Sequence, residues 1–477
     1  MPKRSPLLPI FLIVLVDVLG FTIVIPLLGF YAEKFGASPL VATTLVSVYA
    51  LCSLISTPII GRMSDRYGRR KLLLISQAGT CAGFLMLADS SALWMVFAGR
   101  ILDGLTAGNL SIAQAYISDH TTPDNRAKAF GVIGVAFGVG FMFGPGLGGL
   151  LAEYGMHVPF LAAASLSLIS IFCTYTLLGR EAPPQHAPGG PLPGGRRPGA
   201  FDIATYTEYF RRPRLGRLYL QFFMFTFAFS CFTSGFALFS ERRFTAQHEI
   251  RPIGDTCTLA LDDRLQFPGV TFGEIRLGGD TLVYGRDWVV LGQVIVLTHA
   301  DDCARLDTAK PSARWPWTAH EVGLLFMFTG FLGILLQGGL IGRLVKRFGE
   351  PRLIIAGFIA ASAAYTLLGF TFTLSLLLLV AVISAFGNGV LRPVITSRIT
   401  QVAGRHEQGV AIGISGSLSS FAMMLAPPTG GALIDNHLLL GWALVPATVA
   451  ALGLFVALTS SEKSAGTTPD PELSSPP

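Results

Sequence analysis

Twelve apolar runs, each about twenty residues long, follow one another along most of the chain with short polar segments between them. They lie at roughly 7–30, 41–60, 71–88, 92–118, 127–152, 157–179, 216–240, 318–341, 352–371, 373–396, 408–433 and 437–459. A hydrocarbon core of ~30 Å takes about twenty residues of helix at a 1.5 Å rise. Helix is also the segment that satisfies its own backbone polar groups in lipid. The pattern predicts an all-α membrane protein with twelve transmembrane helices.

Composition agrees. Of 477 residues, 51% are hydrophobic and 13% charged, where a soluble protein carries about 25% charged residues. Mean hydropathy is +0.57. The net charge of +6 reflects placement rather than a nucleic-acid footprint. Basic residues crowd into alternate loops, as in Arg62, Arg66, Arg69, Arg70 and Lys71, and again in Arg343, Lys346, Arg347 and Arg352. The short loops on the other side hold Lys34 alone. A multi-pass cell-membrane protein with both termini in the cytoplasm follows from that bias. The first run continues to about Phe30 without a small-residue cleavage site, so no cleavable signal peptide is expected.

The chain also repeats itself. Gly61-Arg62-x3-Arg66-Tyr67-Gly68 matches Gly342-Arg343-x3-Arg347-Phe348-Gly349, and Pro145-x2-Gly148-Gly149 matches Pro427-x2-Gly430-Gly431. Two six-helix bundles in parallel repeat are expected, 1–180 and 214–460, about an axis along the membrane normal. Residues 181–213, rich in Pro and Gly, read as a flexible cytoplasmic linker, and 461–477 as a disordered cytoplasmic tail. The repeat slips after span seven, which places an insertion at 246–316 on the outside. There Thr281–Tyr284 and Trp288–Leu297 read as two strands around Gly285-Arg286-Asp287, giving a small extracytoplasmic β-rich insertion. Cys257 and Cys303 are its cysteines, either a disulfide in an oxidising compartment or two unpaired thiols.

The loop after span two reads Gly61-Arg62-Met63-Ser64-Asp65-Arg66-Tyr67-Gly68-Arg69-Arg70. It resembles the signature loop of the major facilitator superfamily across its whole pattern. Gly61 and Gly68 permit a tight turn. The resemblance implies that Asp65 and the arginines Arg66, Arg69 and Arg70 form a cytoplasmic gate latch, with Asp119 in the same rim network; the alternative is that the arginines set topology alone. Span five holds Gly138, Gly140, Gly144, Pro145, Gly148 and Gly149, similar to the glycine-proline motif of the family's drug/proton antiporters. Glycine every fourth residue makes a flat face for close helix packing, which is a structural reading of the same residues.

Charged groups inside spans each cost about 2.5–3.5 kcal/mol at a helix centre, so each needs a reason. They are Asp17, Arg100, Asp103 and Arg392. Arg100-x3-Gly104-x3-Gly108 resembles the antiporter motif of span four, and the resemblance sets Arg100 against Asp17 in proton coupling. Asp103 lies three residues after Arg100 on one helix face, so a local pair is the competing arrangement. Asn109, Gln337 and Asn388 are candidates for the substrate cavity, although helix–helix hydrogen bonding is the commoner role for such residues.

The order of motifs is similar to that of the tetracycline/proton antiporters, with a departure. Those carry carboxylates in spans three and nine, and here Leu72–Ala88 and Leu353–Phe370 contain none. There is no Walker loop, no metal-ligand spacing and no catalytic Ser/His/Asp grouping, so neither an enzyme nor an ATP- or metal-dependent protein is expected. The leading expectation is a monomeric proton-driven antiporter exporting a small amphipathic organic compound, powered by the proton gradient without a cofactor. A symporter or facilitator of the same fold is one alternative, and a transport-silent receptor or scaffold that uses the insertion is another.

Overall fold

The protein is described here by a computed structural model covering residues 7–120, 123–178, 203–249, 258–260, 274–277, 280–282, 288–291, 294–298, 311–403 and 407–465. Helix occupies each of the twelve apolar runs. α1 (Leu7–Val24) and α2 (Leu27–Lys34) share the first run. Next come α3 (Pro39–Tyr67), α4 (Arg69–Ala88), α5 (Leu93–Leu105), α6 (Asn109–His120), α7 (Pro123–Ala152) and α8 (Val158–Leu177). The second group is α9 (Ile203–Arg211), α10 (Pro213–Arg243), α11 (Ala319–Leu335), α12 (Ile341–Phe348), α13 (Glu350–Gly369), α14 (Leu374–Ala403), α15 (Gln408–Asp435) and α16 (Leu439–Ala465). Among the described residues ten helices are long and apolar enough to cross a membrane, and eleven if α1 and α2 count as one bent span.

Three runs are interrupted. α1 and α2 meet at an angle of 46°. Pro26 stands at that joint, and its ring removes a helix donor. α5 and α6 part at Thr106–Gly108, where backbone groups in lipid need outside partners. Neighbouring helices supply them: Ser56 Oγ donates to Gly104 O at 2.7 Å and Thr57 Oγ1 to Ala107 O at 2.8 Å. Ser76 of α4 both accepts from Gly108 N at 2.9 Å and donates to Thr106 O. Between α11 and α12 the helix widens into a π-turn, Leu336–Leu340, which carries Gln337.

The stretch expected to be linker over 181–213 ends earlier than the sequence suggested. Residues 203–211 are α9, whose Tyr209 is buried at 1% exposure in the core of the C-terminal helices. Arg212 locks it there: the guanidinium lies over the Tyr209 ring at 4.5 Å and donates to Glu407 at 2.5 and 3.2 Å. Those hydrogen bonds to the carboxylate raise the Arg212 pKa further above its ordinary value. At the other terminus α16 continues to Ala465, past the boundary expected at 460. Residues 179–202 and 466–477 lie outside the described residues.

Among the described residues seven strands lie between α10 and α11, and they differ from the two expected. Trp288–Leu297 is not one strand but two, β5 (Trp288–Leu291) and β6 (Val294–Leu297), paired antiparallel with Leu291 opposite Val294. Gly292-Gln293 between them is a glycine-containing link of hairpin length. β4 (Asp280–Leu282) pairs with β3 (Glu274–Leu277), not with β5. β3 also pairs with β7 (Pro311–Pro316), and β7 with β1 (Thr245–Glu249). β2 (Thr258–Ala260) joins β6. The root is clamped where the chain leaves and re-enters the helices. Phe244 and Trp317 are buried with ring centroids 5.0 Å apart, and Trp317 N donates to Phe244 O at 3.0 Å. Cys257 and Cys303 lie outside the described residues.

The apolar core divides by height. At the end carrying the basic loops, α1, α4, α6, α7 and Leu178 at the end of α8 share one buried cluster, and α9, α10, α13, α14, α15 and α16 share another. At the strand-bearing end a single cluster, with Phe30, Leu45, Phe236 and Trp442, joins the two sets of helices. Glycines set that union. A Cβ on Gly149 of α7 would lie 2.7 Å from Ala319 O of α11, and one on Gly323 of α11 would lie 2.5 Å from Pro145 O of α7. Gly431 of α15 meets Pro39 O of α3 in the same way, at 2.8 Å. Polar ties lie at the same height: Arg242 donates to Glu33 at 2.5 Å, Ser38 to Asp435 at 3.2 Å, and His320 stands 2.6 Å from Glu153.

Toward the basic loops the glycines change character. Gly61, Gly338, Gly339, Gly342, Gly413 and Gly416 would each add a Cβ into open space. The two sets of helices therefore touch at the strand-bearing end and part toward the basic loops. Gly149→Val should force α7 and α11 apart and cost about 1–3 kcal/mol in overpacking. Its unfolding midpoint in detergent should fall, whereas Gly413→Ala should leave the midpoint level or raise it. Equal midpoints for Gly149→Val and the parent would refute the packing account.

Candidate functional site

Intramembrane charge separates into three places. Asp17 on α1 is half-buried within the N-terminal helices. The polar groups nearest its carboxyl are Ser170 of α8, Gln77 of α4 and Asn109, the first residue of α6. The break at Thr106–Gly108 thus has a purpose beyond relief of a bend, since it starts α6 at the residue that faces Asp17. Gln77 Nε2 donates to Ser170 Oγ at 2.7 Å, while Gln77 Oε1 and Asn109 Oδ1 are buried acceptors without a partner among the described residues. Asn109, expected in the substrate cavity, belongs to this cluster instead.

Arg100 does not face Asp17 in this conformation. Its Nη1 donates to Asp103 Oδ2 at 2.8 Å, with both side chains buried, and the guanidinium lies over the Tyr49 ring at 4.3 Å. The local pair forms because three residues of helix bring both side chains onto one face. Arg100 also borders a small central cavity with Phe21, Tyr49, Ser230, Ser234 and Met423. Both sets of helices contribute to that wall. The pair therefore borders a small cavity shared by the two sets of helices.

The glycine-proline motif of α7 has two faces. Gly140, Gly144 and Gly148 pack on Val18, Thr22 and Ile23 of α1, and Thr22 Oγ1 donates to Gly140 O at 2.9 Å. Pro145 and Gly149 face α11. Pro145 has no N–H, so the Phe141 carbonyl lacks its helical donor, and Gly330 of α11 packs against that carbonyl. One helix thus grips the helix of Asp17 on one side and the C-terminal helices on the other.

In the signature loop, Gly68 has φ +98°, a conformation that favours glycine, and Gly349 in the matching loop has φ +77°. Asp65 pairs with Arg69 at 2.5 Å within its own loop, and Arg69 also donates to Ser64 Oγ at 2.6 Å. Arg70 donates to Tyr175 O at 2.5 Å. Gly61 meets no neighbour, and Arg66 lies over the Tyr67 ring at 5.5 Å. Asp65 thus has a local partner in Arg69. Asp119 lies in α6, but its side chain is outside the described residues.

Asn388 is engaged between helices, accepting from Tyr365 Oη at 3.1 Å and donating to Ser384 at 2.9 Å. Gln337 is exposed on the π-turn. Sequence reasoning did not single out Ser170, Tyr49, or the Glu33–Arg242 tie. The tracts Glu33-Lys34-Phe35 and Arg242-Arg243-Phe244 align only loosely in the repeat, and an acid opposite a base at related positions was the available signal.

Comparison with known proteins gives the same answer as the geometry. The sequence profile described as Major Facilitator Superfamily matches residues 10–247 and 281–474, with its gap inside the strand-bearing segment. Tetracycline resistance protein, class B, of Escherichia coli is 27% identical over 433 residues, 90% of this chain and 88% of that protein. Multidrug resistance protein 2 of Bacillus subtilis (strain 168) is 23% identical, covering 90% of each chain. A bacterial homolog of the human lysosomal transporter Spinster, solved in an inward-facing and unoccupied conformation, superposes with a TM-score of 0.66 at 14% identity, over 99% of both chains. With most of its length matched by the family's profile, the chain belongs to the major facilitator superfamily and is a multi-pass membrane transporter.

Proposed function

We propose that the protein is a proton-coupled antiporter that exports a small amphipathic organic compound from the cytoplasm. The observation that carries this is Asp17, a carboxyl inside the bundle whose helix is gripped by the glycine face of α7. Gln77 Oε1 and Asn109 Oδ1 offer acceptors for a protonated carboxyl, and Ser170 offers a hydroxyl to an ionised one. A change in the charge of Asp17 alters how α1 sits. α7 passes that shift to α11, where the two bundles meet. Alternating access then follows from rocking of one bundle on the other. The resistance proteins among the relatives favour export, with the cargo class still open at this level.

In this reading α5 and α6 form one broken span and α1 and α2 another, which makes twelve spans in two parallel six-helix bundles, 1–180 and 214–460. Both termini lie in the cytoplasm, as the basic loops require. The cleft therefore opens inward, and the strands between α10 and α11 form an extracytoplasmic subdomain. Asp65, with Arg66, Arg69 and Arg70, re-pairs across the rim when the basic end closes. No cofactor is needed beyond the proton gradient, and the protein works as a monomer.

Asp17→Asn is expected to abolish gradient-driven uptake of cargo into inverted vesicles while the protein stays folded, and coupled uptake at the parent rate would sink the proposal. Cargo entry into such vesicles should release protons from the lumen; uptake of protons with cargo would identify a symporter instead. The Arg100–Asp103 pair makes a separate prediction. Arg100→Ala strands a buried carboxylate and should cost about 3–5 kcal/mol, most of which Arg100→Ala with Asp103→Ala should restore. If the double variant melts as low as the single one, the pair does not carry that stability.

A further inference from the structure

Arg392 has no place in the proton-coupling cluster. It stands well inside α14 but is exposed, because it faces the cleft between the two sets of helices. Its guanidinium lies over the ring of Phe137 on α7, 5.3 Å away, on the opposite wall. Among the described residues no carboxylate lies within 4.0 Å of it. The acids of α10, α11, α13 and α15 sit near helix ends, at Glu241, Glu321, Glu350 and Asp435. A guanidinium offers five donors in a planar fork and no acceptor, and it holds its charge at any physiological pH. Arg100, the other deep arginine, already has its carboxylate in Asp103.

The surroundings of Arg392 are aromatic. Phe137 stacks on Phe141 at 6.4 Å between centroids, and Phe141 meets Phe229 of α10 edge-on at 6.3 Å. All three rings are half-buried and so present a face to the cleft. One turn from Arg392, Gly389 packs against Leu336 at the head of the π-turn that carries the exposed Gln337. A lone cation beside an aromatic strip and a widened helix forms a site for a molecule with an anionic head and an apolar, ring-containing body.

We infer that Arg392 is the recognition residue for the cargo, and that the cargo is an amphipathic organic anion bound through a carboxylate, with its apolar body against Phe137, Phe141 and Phe229. The inference rests on the transport reading above and supplies its substrate class. While the site is empty, the Phe137 ring face holds the guanidinium by a cation–π contact. When the basic end closes, the cleft loses its water and an unpaired guanidinium becomes costly to bury. The cargo carboxylate removes that cost with paired, charge-assisted hydrogen bonds. Loaded closure is thereby favoured, and a cationic cargo is rejected by like charge.

The test is equilibrium dialysis of the purified full chain in detergent, without any gradient, against a naphthyl-alkyl carboxylate, its primary amide and the matching ammonium compound. The carboxylate should bind about tenfold or more tightly than the amide, and the ammonium compound least. Arg392→Gln should erase the preference for carboxylate over amide while amide binding persists. Arg392→Lys should keep part of it, and Phe137→Leu should weaken both ligands while the preference remains. Parent protein that binds carboxylate and amide alike, or prefers the ammonium compound, overturns the inference, as does an Arg392→Gln variant that keeps the preference. Should Arg392→Gln fail to fold, the parent comparison and Phe137→Leu still decide. Dialysis without a gradient reads binding alone. A failure of proton coupling is thus read in vesicles and a failure of anion recognition in dialysis.

Discussion

The close approach of α7 to α11 at Gly149, Gly323 and Gly330 is the constraint on which the rest depends. Lipid supplies no hydrophobic drive between helices, so contact comes from backbone reaching backbone over small residues. That contact holds the two sets of helices together at the strand-bearing end while they part at the other. It also leaves α7 with its second glycine face on α1, two turns from Asp17 at the farthest. A helix so placed cannot shift on one face without moving the other. The part-buried ties between Arg242 and Glu33 and between Ser38 and Asp435 reinforce the same end.

Charge is distributed between the bundles by task. The N-terminal helices hold a carboxyl among amides and a hydroxyl, and an Arg100–Asp103 pair that is neutral as a unit. The C-terminal helices hold Arg392 over an aromatic ring, with acids near helix ends. In the proposed reading the proton binds in the N-terminal half and the cargo headgroup in the C-terminal half, with α7 touching both. Absence of carboxylates from the apolar parts of spans three and nine is consistent with that division. A site built around a cation has no use for acids that would quench it.

Much of this was legible in the sequence, because membrane constraints act on single segments. Twelve apolar runs, the alternation of basic loops and the repeated Gly-Arg motif each follow from local rules, and helix appears in every run. What was not legible depends on partners from elsewhere in the chain. The break at Thr106–Gly108 is stable because Ser56, Thr57 and Ser76 reach it, and serine is too common for that to show in advance. The sequence offers Arg100 two partners, Asp17 and Asp103, and only the fold selects Asp103. Trp288–Leu297 split into two strands, since an apolar run alone does not encode its own turn. α9 was hidden by the Pro/Gly composition of the segment before it.

The central claim is that the proton on Asp17 sets which end of the molecule is closed. Spin labels at Lys71 of α4 and Lys346 of α12, both exposed at the basic end, would report the separation of the two bundles by pulsed dipolar spectroscopy. In the parent protein the distance distribution should shift between an open and a closed population as pH is varied. In Asp17→Asn it should be independent of pH. A pH-dependent shift of parental size in Asp17→Asn would contradict the account.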